Sequence, residues 1–346
     1  MLTMKQSTKK SNMIKPILVI LLFCLLFYGL YYTFRDSLPL IVSRLKEASP
    51  FFVLLMLFFG FFYYFLDSVN TTLVVRTQNK DFTLKNGITT VFLGFVTGVM
   101  TFGSGTKPAQ TYYLSKHNIP IGKGFSLCSL PYVFHKLTVV LYATIMLIFQ
   151  GKFLKRTYQE AFSYLTAGYV FSFLIIAVLI LLFTSKKFHA LLFYLPERFL
   201  HSPKWLEKLA LLKKELQNLQ EESVSLLKKK SLCASLVGIN FLKLTCWYIL
   251  PFLACYAIHS KTVFPITENI ATSALMQLII GVIPITGGMV SAEVVYLLLY
   301  NVLFGEVSAA STMILYRAVT YYLPIFYQMP FVLYKGYRLK KTTSHN

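Results

Sequence analysis

Long apolar runs separated by short polar connections dominate the chain. Six of them, at 14–34, 51–75, 124–149, 161–184, 231–258 and 308–334, reach the length an α-helix needs to cross a bilayer core, about 20 residues. They predict membrane-spanning helices. Two further apolar stretches break partway. Leu93 to Pro108 (LGFVTGVMTFGSGTKP) and Leu278 to Glu293 (LIIGVIPITGGMVSAE) dissolve into Gly, Pro, Thr and Ser at or near membrane depth. An unbonded N–H or C=O in lipid finds no water, so such a break persists only where protein buries it or a wet cavity serves it. Paired interruptions in two halves of a chain point to a transporter's binding site. They predict a broken or re-entrant helix pair in each half, at about 87–106 and 268–304.

This pattern predicts an all-α integral membrane protein, a polytopic helical bundle forming one membrane domain over 1–346. Its approximate halves are 14–184 and 231–338, joined by a cytoplasmic amphipathic segment, 185–230. If both breaks dip in and return, 24 of the 34 Lys and Arg fall on one side and 7 on the other, which places both termini in the cytoplasm. Gly151 to Glu160, read as an outer loop, runs against that count with Lys152, Lys155 and Arg156. The first break then enters from the cytoplasm and the second from outside, as two inverted repeats would. In the connecting segment Trp205, Leu209, Leu212, Leu216 and Leu219 recur every three or four residues, laying an apolar stripe along a polar helix. Such a helix lies on the membrane or packs on its own bundle, with docking of a partner helix as the alternative.

Composition narrows the class. With 56% hydrophobic residues, 14% charged residues and a mean hydropathy of +0.60, the chain is not a soluble globular domain. The net charge of +21 fits cytoplasmic loops facing anionic headgroups better than it fits nucleic acid. Ile14 to Tyr32 follows a basic start but lacks a small-residue cleavage site, so it reads as a first span rather than a removed signal peptide. The five cysteines, Cys24, Cys128, Cys233, Cys246 and Cys255, lie in or beside apolar segments without a CxxC and read as small core residues. There is no HExxH, no nucleophile elbow and no Walker loop, so the reading includes no catalytic residues, metal or cofactor and excludes an ATP-driven pump within this chain.

Candidate chemistry lies in ionisable side chains within spans, which are expensive there and are usually paired or functional. They are Asp67, His135, Lys136, Lys243, Glu293 and Arg317. Asp67 lies in a polar run near a span end, where it either acts in the site or meets the interface. Lys136 is too deep to reach water easily, whereas His135 reads as a core histidine. Glu293 and Arg317 have opposite charges and suit an ion pair, structural or functional. Gly98 and Gly281 suit close helix packing. Gly103, Gly105, Gly287 and Gly288 cluster with Thr106, Pro108, Pro284 and Thr286, and such breaks can aim helix-end N–H groups at an anion.

The stretch TFGSGTKPAQTYYLSKHNIPIGKGFSLCSLPYVFHK, followed by VIPITGGMVSAEVV and YRAVTYYLP, resembles the lysylphosphatidylglycerol synthase transmembrane, flippase-like family from the first span to Arg338. That family includes the membrane half of the multiple peptide resistance factor, in which the flippase moves lysyl-phosphatidylglycerol outward and a cytosolic domain makes it from lysyl-tRNA. The resemblance puts Gly287, Gly288 and Glu293 on the family's Pro-Gly-Gly…Glu pattern, and Arg317 and Tyr321 on its last-span arginine and tyrosine. Thr286 stands where proline is common before the glycine pair, and Gln110 stands where many members carry arginine. Substrate-binding candidates are therefore Gly103, Gly105, Lys136, Gly287, Gly288, Glu293, Arg317 and Tyr321, with Asp67, Gln110 and Lys243 as a second rank. The implied function is translocation of an anionic or aminoacylated phospholipid across the cytoplasmic membrane, tied to lipid metabolism and resistance to cationic antimicrobial peptides. The alternatives are phosphatidylglycerol lysyltransferase, for which the family uses a soluble domain not found here, and a non-transporting scaffold for a lipid or cell-wall enzyme. Expected partners are the membrane, an anionic phospholipid, and a separate lipid-modifying enzyme or a second copy of the chain.

Overall fold

A computed structural model describes residues 35, 38–101, 103–159, 162–199, 203–260, 264–282 and 289–343. The expected span at 14–34 and the glycines Gly287 and Gly288 lie outside these residues. Among the described residues all regular structure is helical.

After a short helix α1 (Leu38–Lys46), α2 (Pro50–Val75) begins with proline in its first turn, where the missing N–H costs no hydrogen bond. Phe51, Leu54, Phe58 and Phe61 point outward while Ser68, Asn70, Thr71 and Thr72 are buried. This inversion of the soluble pattern suits apolar surroundings. Helix α3 (Leu84–Met100) is capped by the Thr83 hydroxyl, which accepts from Asn86 N. It ends at the first glycine break. Gly103 takes φ +89 and donates its N–H to Gly98 O at 2.7 Å, closing the helix end with a left-handed residue. The chain folds back as α4 (Thr106–Ser115), which packs on α3 and, at ten residues, is too short to span alone. Close approach depends on Gly94, where a Cβ would strike the Gln110 side chain, and on Gly98, where it would stand 2.5 Å from Thr106 Oγ1.

Helix α5 (Ile121–Thr157) carries Pro131 in its interior and runs through the span expected at 124–149. The outer loop expected at Gly151–Glu160 is mostly the end of this helix: Lys152, Lys155 and Arg156 ride its last turns, where long basic side chains can reach past the apolar layer. Helix α6 (Phe162–Thr184) exposes Val170, Phe171, Phe173, Leu174, Val178 and Leu181. The connecting segment is two helices, α7 (Lys186–Phe199) and α8 (Pro203–Leu227). Part of the amphipathic stripe packs on the bundle itself, with Leu219 buried beside Val133 of α5 and Phe183 of α6, while Trp205 stays exposed.

The expected span 231–258 is two helices, α9 (Lys230–Tyr248) and α10 (Leu250–Ala257), divided next to Pro251. Helices α11 (Ile266–Val282) and α12 (Met289–Phe304) flank the second break and pack together, with Ser273 and Tyr300 hydroxyls 2.7 Å apart. The expected span 308–334 is also divided. Helix α13 (Glu306–Arg317) passes through a π-helical turn at Ala318–Tyr322 into α14 (Leu323–Thr343). The wide turn presses Val319 against Gly60 of α2, where a Cβ would stand 2.5 Å from Val319 Cγ1. Among the described residues four helical segments, Pro50–Val75, Ile121–Thr157, Leu165–Thr184 and Lys230–Ala257, are long and apolar enough to cross a membrane; Leu84–Met100 and Ala292–Phe304 are shorter apolar helices. The protein is a polytopic helical membrane protein.

Candidate functional site

A cavity of about 890 Å³ lies among α2, α3, α4, α5, α6, α8, α9 and the α13–π-turn junction. Its wall takes Tyr63, Tyr64 and Asp67 from α2, Gly94 and Gly98 from α3, and Lys107 and Gln110 from α4. From α5 come Tyr132, His135 and Lys136; Lys243 and Trp247 of α9, Arg317 of α13 and Tyr321 of the π turn complete the charged side.

The charges are arranged as two ion pairs and two further cations. Arg317 Nε donates to Glu293 Oε1 at 2.7 Å, both side chains being buried, so the pair expected from the opposite charges of two spans is present. Glu293 itself stands behind Arg317, outside the cavity lining. Lys243 Nζ donates to Asp67 Oδ1 at 2.6 Å. Lys243 is 2% exposed and Asp67 32%, so the ammonium is the buried member and holds the carboxylate at the cavity wall. An aromatic group joins the pairs. Tyr63 lies 5.1 Å from Lys243 Nζ and 4.2 Å from the Trp247 ring; Trp247 packs on Tyr316; the Arg317 guanidinium stands 4.7 Å over Tyr321. Rings of this kind favour cations over their faces and exclude water around them.

Lys107, one of the 24 cations counted on the cytoplasmic side, lies in the cavity wall. The hairpin turns α4 inward, so its ammonium bonds Cys128 O at 2.6 Å and Gln110 Oε1 at 3.3 Å. That contact lies beside the carbonyl of Leu127, whose helical donor Pro131 cannot supply. Lys107 also provides, one turn earlier, the positive charge that Gln110 does not carry. A Lys followed three residues later by Gln on a helix shares one face with it, and this was the signal that could have found Lys107. Lys136 Nζ sits against α11, where a Cβ on Gly281 would stand 3.2 Å away, close to the helix end whose last carbonyls favour a cation. Lys136 thus links the large cavity to the second break. A smaller crevice of about 50 Å³ lies on its other side, lined by Ser172, Gln277 and Gly281 among others.

Of the residues expected in the site, Gly103, Lys136, Arg317 and Tyr321 line the cavity, as do Asp67, Gln110 and Lys243. Gly105 does not; it serves the turn, with its N–H bonded to Thr101 Oγ1 at 2.6 Å. His135 lines the cavity, its Nδ1 without a hydrogen-bond partner among the described residues. Tyr63, Tyr64, Tyr132 and Trp247 carry no signal of their own in the sequence because aromatic residues are abundant in the spans, whereas Tyr321 was among the expected residues. No cluster of His, Cys, Asp or Glu suited to a metal ion occurs among the described residues.

The family described as the lysylphosphatidylglycerol synthase TM region matches residues 13–327, all but the first 12 and last 19 positions of the chain. The chain belongs to this family. No curated protein and no solved structure matches it. In this member of the lysylphosphatidylglycerol synthase TM-region family, the cavity draws on residues from both broken parts of the chain, with the first hairpin contributing directly and the second through Lys136 and Glu293.

Proposed function

We propose that the protein moves a phospholipid with an anionic or aminoacylated headgroup between the leaflets of the cell membrane, without ATP. The observation that carries this reading is a cavity of about 890 Å³ with Arg317, Lys107, Lys136 and the Asp67 carboxylate in its wall, inside a bundle whose outer faces are apolar. Headgroup-sized ligand sites occupy about 300–1,000 Å³, so the volume suits a headgroup while acyl chains stay in the bilayer. Fixed charges lower the cost of bringing a polar group to membrane depth, and two helical breaks supply the backbone groups and the hinges. On this reading 14–184 and 231–338 are inverted repeats around the cavity, and both termini and the α7–α8 hairpin face the cytoplasm. An outward flux of aminoacylated lipid would connect the protein to resistance against cationic antimicrobial peptides.

The competing readings are synthesis of lysyl-phosphatidylglycerol and scaffolding of a lipid or cell-wall enzyme. Expression in cells that lack the lipid separates them. Redistribution of an anionic lipid between leaflets at constant lipid composition supports transport. Accumulation of lysyl-phosphatidylglycerol supports the enzyme, and neither change supports the scaffold.

A further inference from the structure

Resting on the transport reading of this cavity, we infer that its ligand is a headgroup with two negative charges on phosphate, a phosphomonoester or a diphosphate, rather than a singly charged or aminoacylated one. Four cations line the cavity: Lys107, Lys136, Lys243 and Arg317. Among the described residues the cations' carboxylate partners are Asp67 and Glu293, and each is already taken. Asp67 holds Lys243 and Glu293 holds Arg317. Lys107 and Lys136 have no carboxylate partner among the described residues; Lys107 bonds only neutral oxygens, and Lys136 lies against the Gly281 backbone.

The two ammoniums without a carboxylate flank one ring. Each lies 5.6 Å from the centre of the same Tyr132 ring, so they are separated by no more than the sum of those distances, about 11 Å. Gln110, whose side chain occupies the space left by Gly94, positions Lys107 from the hairpin side. The α11 end positions Lys136 from the other. Lys107 spends two of its three N–H groups on Cys128 O and Gln110 Oε1 and keeps one for a phosphate oxygen, while Lys136 donates to no acceptor among the described residues. A single oxyanion leaves one positive charge unbalanced at membrane depth. An aminoacylated headgroup is a poorer match, because its amine meets two like charges and finds Asp67 as the one carboxylate among the described lining residues, already occupied by Lys243. Two negative charges balance the two cations.

The test uses the full chain, purified and reconstituted in phosphatidylcholine vesicles doped in turn with phosphatidic acid, phosphatidylglycerol or lysyl-phosphatidylglycerol. It reads leaflet transfer and competitive binding separately. Phosphatidic acid is expected to be preferred over lysyl-phosphatidylglycerol by about ten-fold or more, with phosphatidylglycerol between them. The double substitution Lys107→Gln with Lys136→Gln is expected to reduce the preference for phosphatidic acid over phosphatidylglycerol to within about two-fold. Competition among the lipids for the unmodified protein requires no variant, so poor folding of the double mutant leaves the result readable. Lysyl-phosphatidylglycerol bound or moved as well as phosphatidic acid overturns the inference and leaves the transport reading intact. Selective binding of phosphatidic acid with no transfer of any lipid supports the inference and defeats transport. Inorganic pyrophosphate that displaces phosphatidic acid at equal concentration identifies a soluble phosphate as the dianion's source and overturns the lipid assignment.

Discussion

Arg317 and Glu293 meet through a hydrogen bond, Nε to Oε1 at 2.7 Å, and the second carboxylate oxygen of Glu293 is buried without a hydrogen-bond partner among the described residues. A structural pair would gain from satisfying both oxygens, since one polar atom left unbonded in a buried place costs about 1–3 kcal/mol. A working pair needs spare capacity. Glu293 holds Arg317 at the cavity wall beside Tyr321 and keeps one oxygen uncommitted.

The first prediction separates these roles. Arg317→Met and Glu293→Gln each strand a buried charge and should cost about 3–5 kcal/mol of stability, whereas the combined change removes the charge problem and recovers most of that cost. Transport should not recover with it. Arg317→Lys keeps the charge but loses the planar fork that can bond phosphate at two points, and most transport should go with it. Thermal unfolding and leaflet transfer on the same four proteins read this out. A double mutant that transports normally reduces the pair to scaffolding.

Asp67 and Lys243 should behave asymmetrically. Lys243 is enclosed and Asp67 meets the cavity, so Asp67→Asn leaves an enclosed ammonium with no counter-charge and should lower stability by about 3–5 kcal/mol. Lys243→Met leaves a carboxylate that the cavity can hydrate, and its cost should be about 1 kcal/mol. Equal costs for the two substitutions in chemical unfolding would show that Asp67 is as enclosed as its partner.

The hairpin predicts a coupled pair of small substitutions. Gly94→Ala places a methyl group where the Gln110 amide lies and should cost about 1–3 kcal/mol through overpacking. Adding Gln110→Ala should restore much of the stability while leaving Lys107 without one acceptor. Additive costs in a double-mutant cycle would mean that α3 and α4 do not meet there.

Much of this architecture was legible in the sequence, and the reasons differ between residues. Span length announced α2, α5, α6 and the α9–α10 pair, because apolar length is the one requirement a bilayer imposes directly. Arg317 and Glu293 stood out as opposite charges in neighbouring spans. The partner of Lys243 could not be read, since Asp67 is 176 positions away and only tertiary packing brings them together. Lys107 has polar neighbours in the sequence; its place in the cavity wall follows from α4 folding back along α3, which hydropathy does not register. The π turn after Arg317 also lacked a local signal. What reveals it is the contact of Val319 with Gly60 across the bundle.

Orientation yields a labelling prediction. The proposed topology puts the α7–α8 hairpin and the C-terminus in the cytoplasm, and Glu221 on α8 has an exposed side chain, whereas Ser223 is fully buried and unsuited to labelling. Glu221→Cys and Ser344→Cys should react with a membrane-impermeant thiol reagent only after the cells are opened. Reaction of either in intact cells would reverse the orientation and the assignment of the two breaks to opposite faces.

Lipid transfer through the charged cavity is tested most directly by leaflet-resolved labelling in vesicles of defined composition carrying the purified protein. Vesicles with the unmodified chain should equilibrate an anionic phospholipid between leaflets at a rate at least about ten-fold above protein-free vesicles, and those with Arg317→Lys should fall most of the way back to that baseline. Equal rates with and without the protein, or a variant as fast as the unmodified chain, would contradict the account.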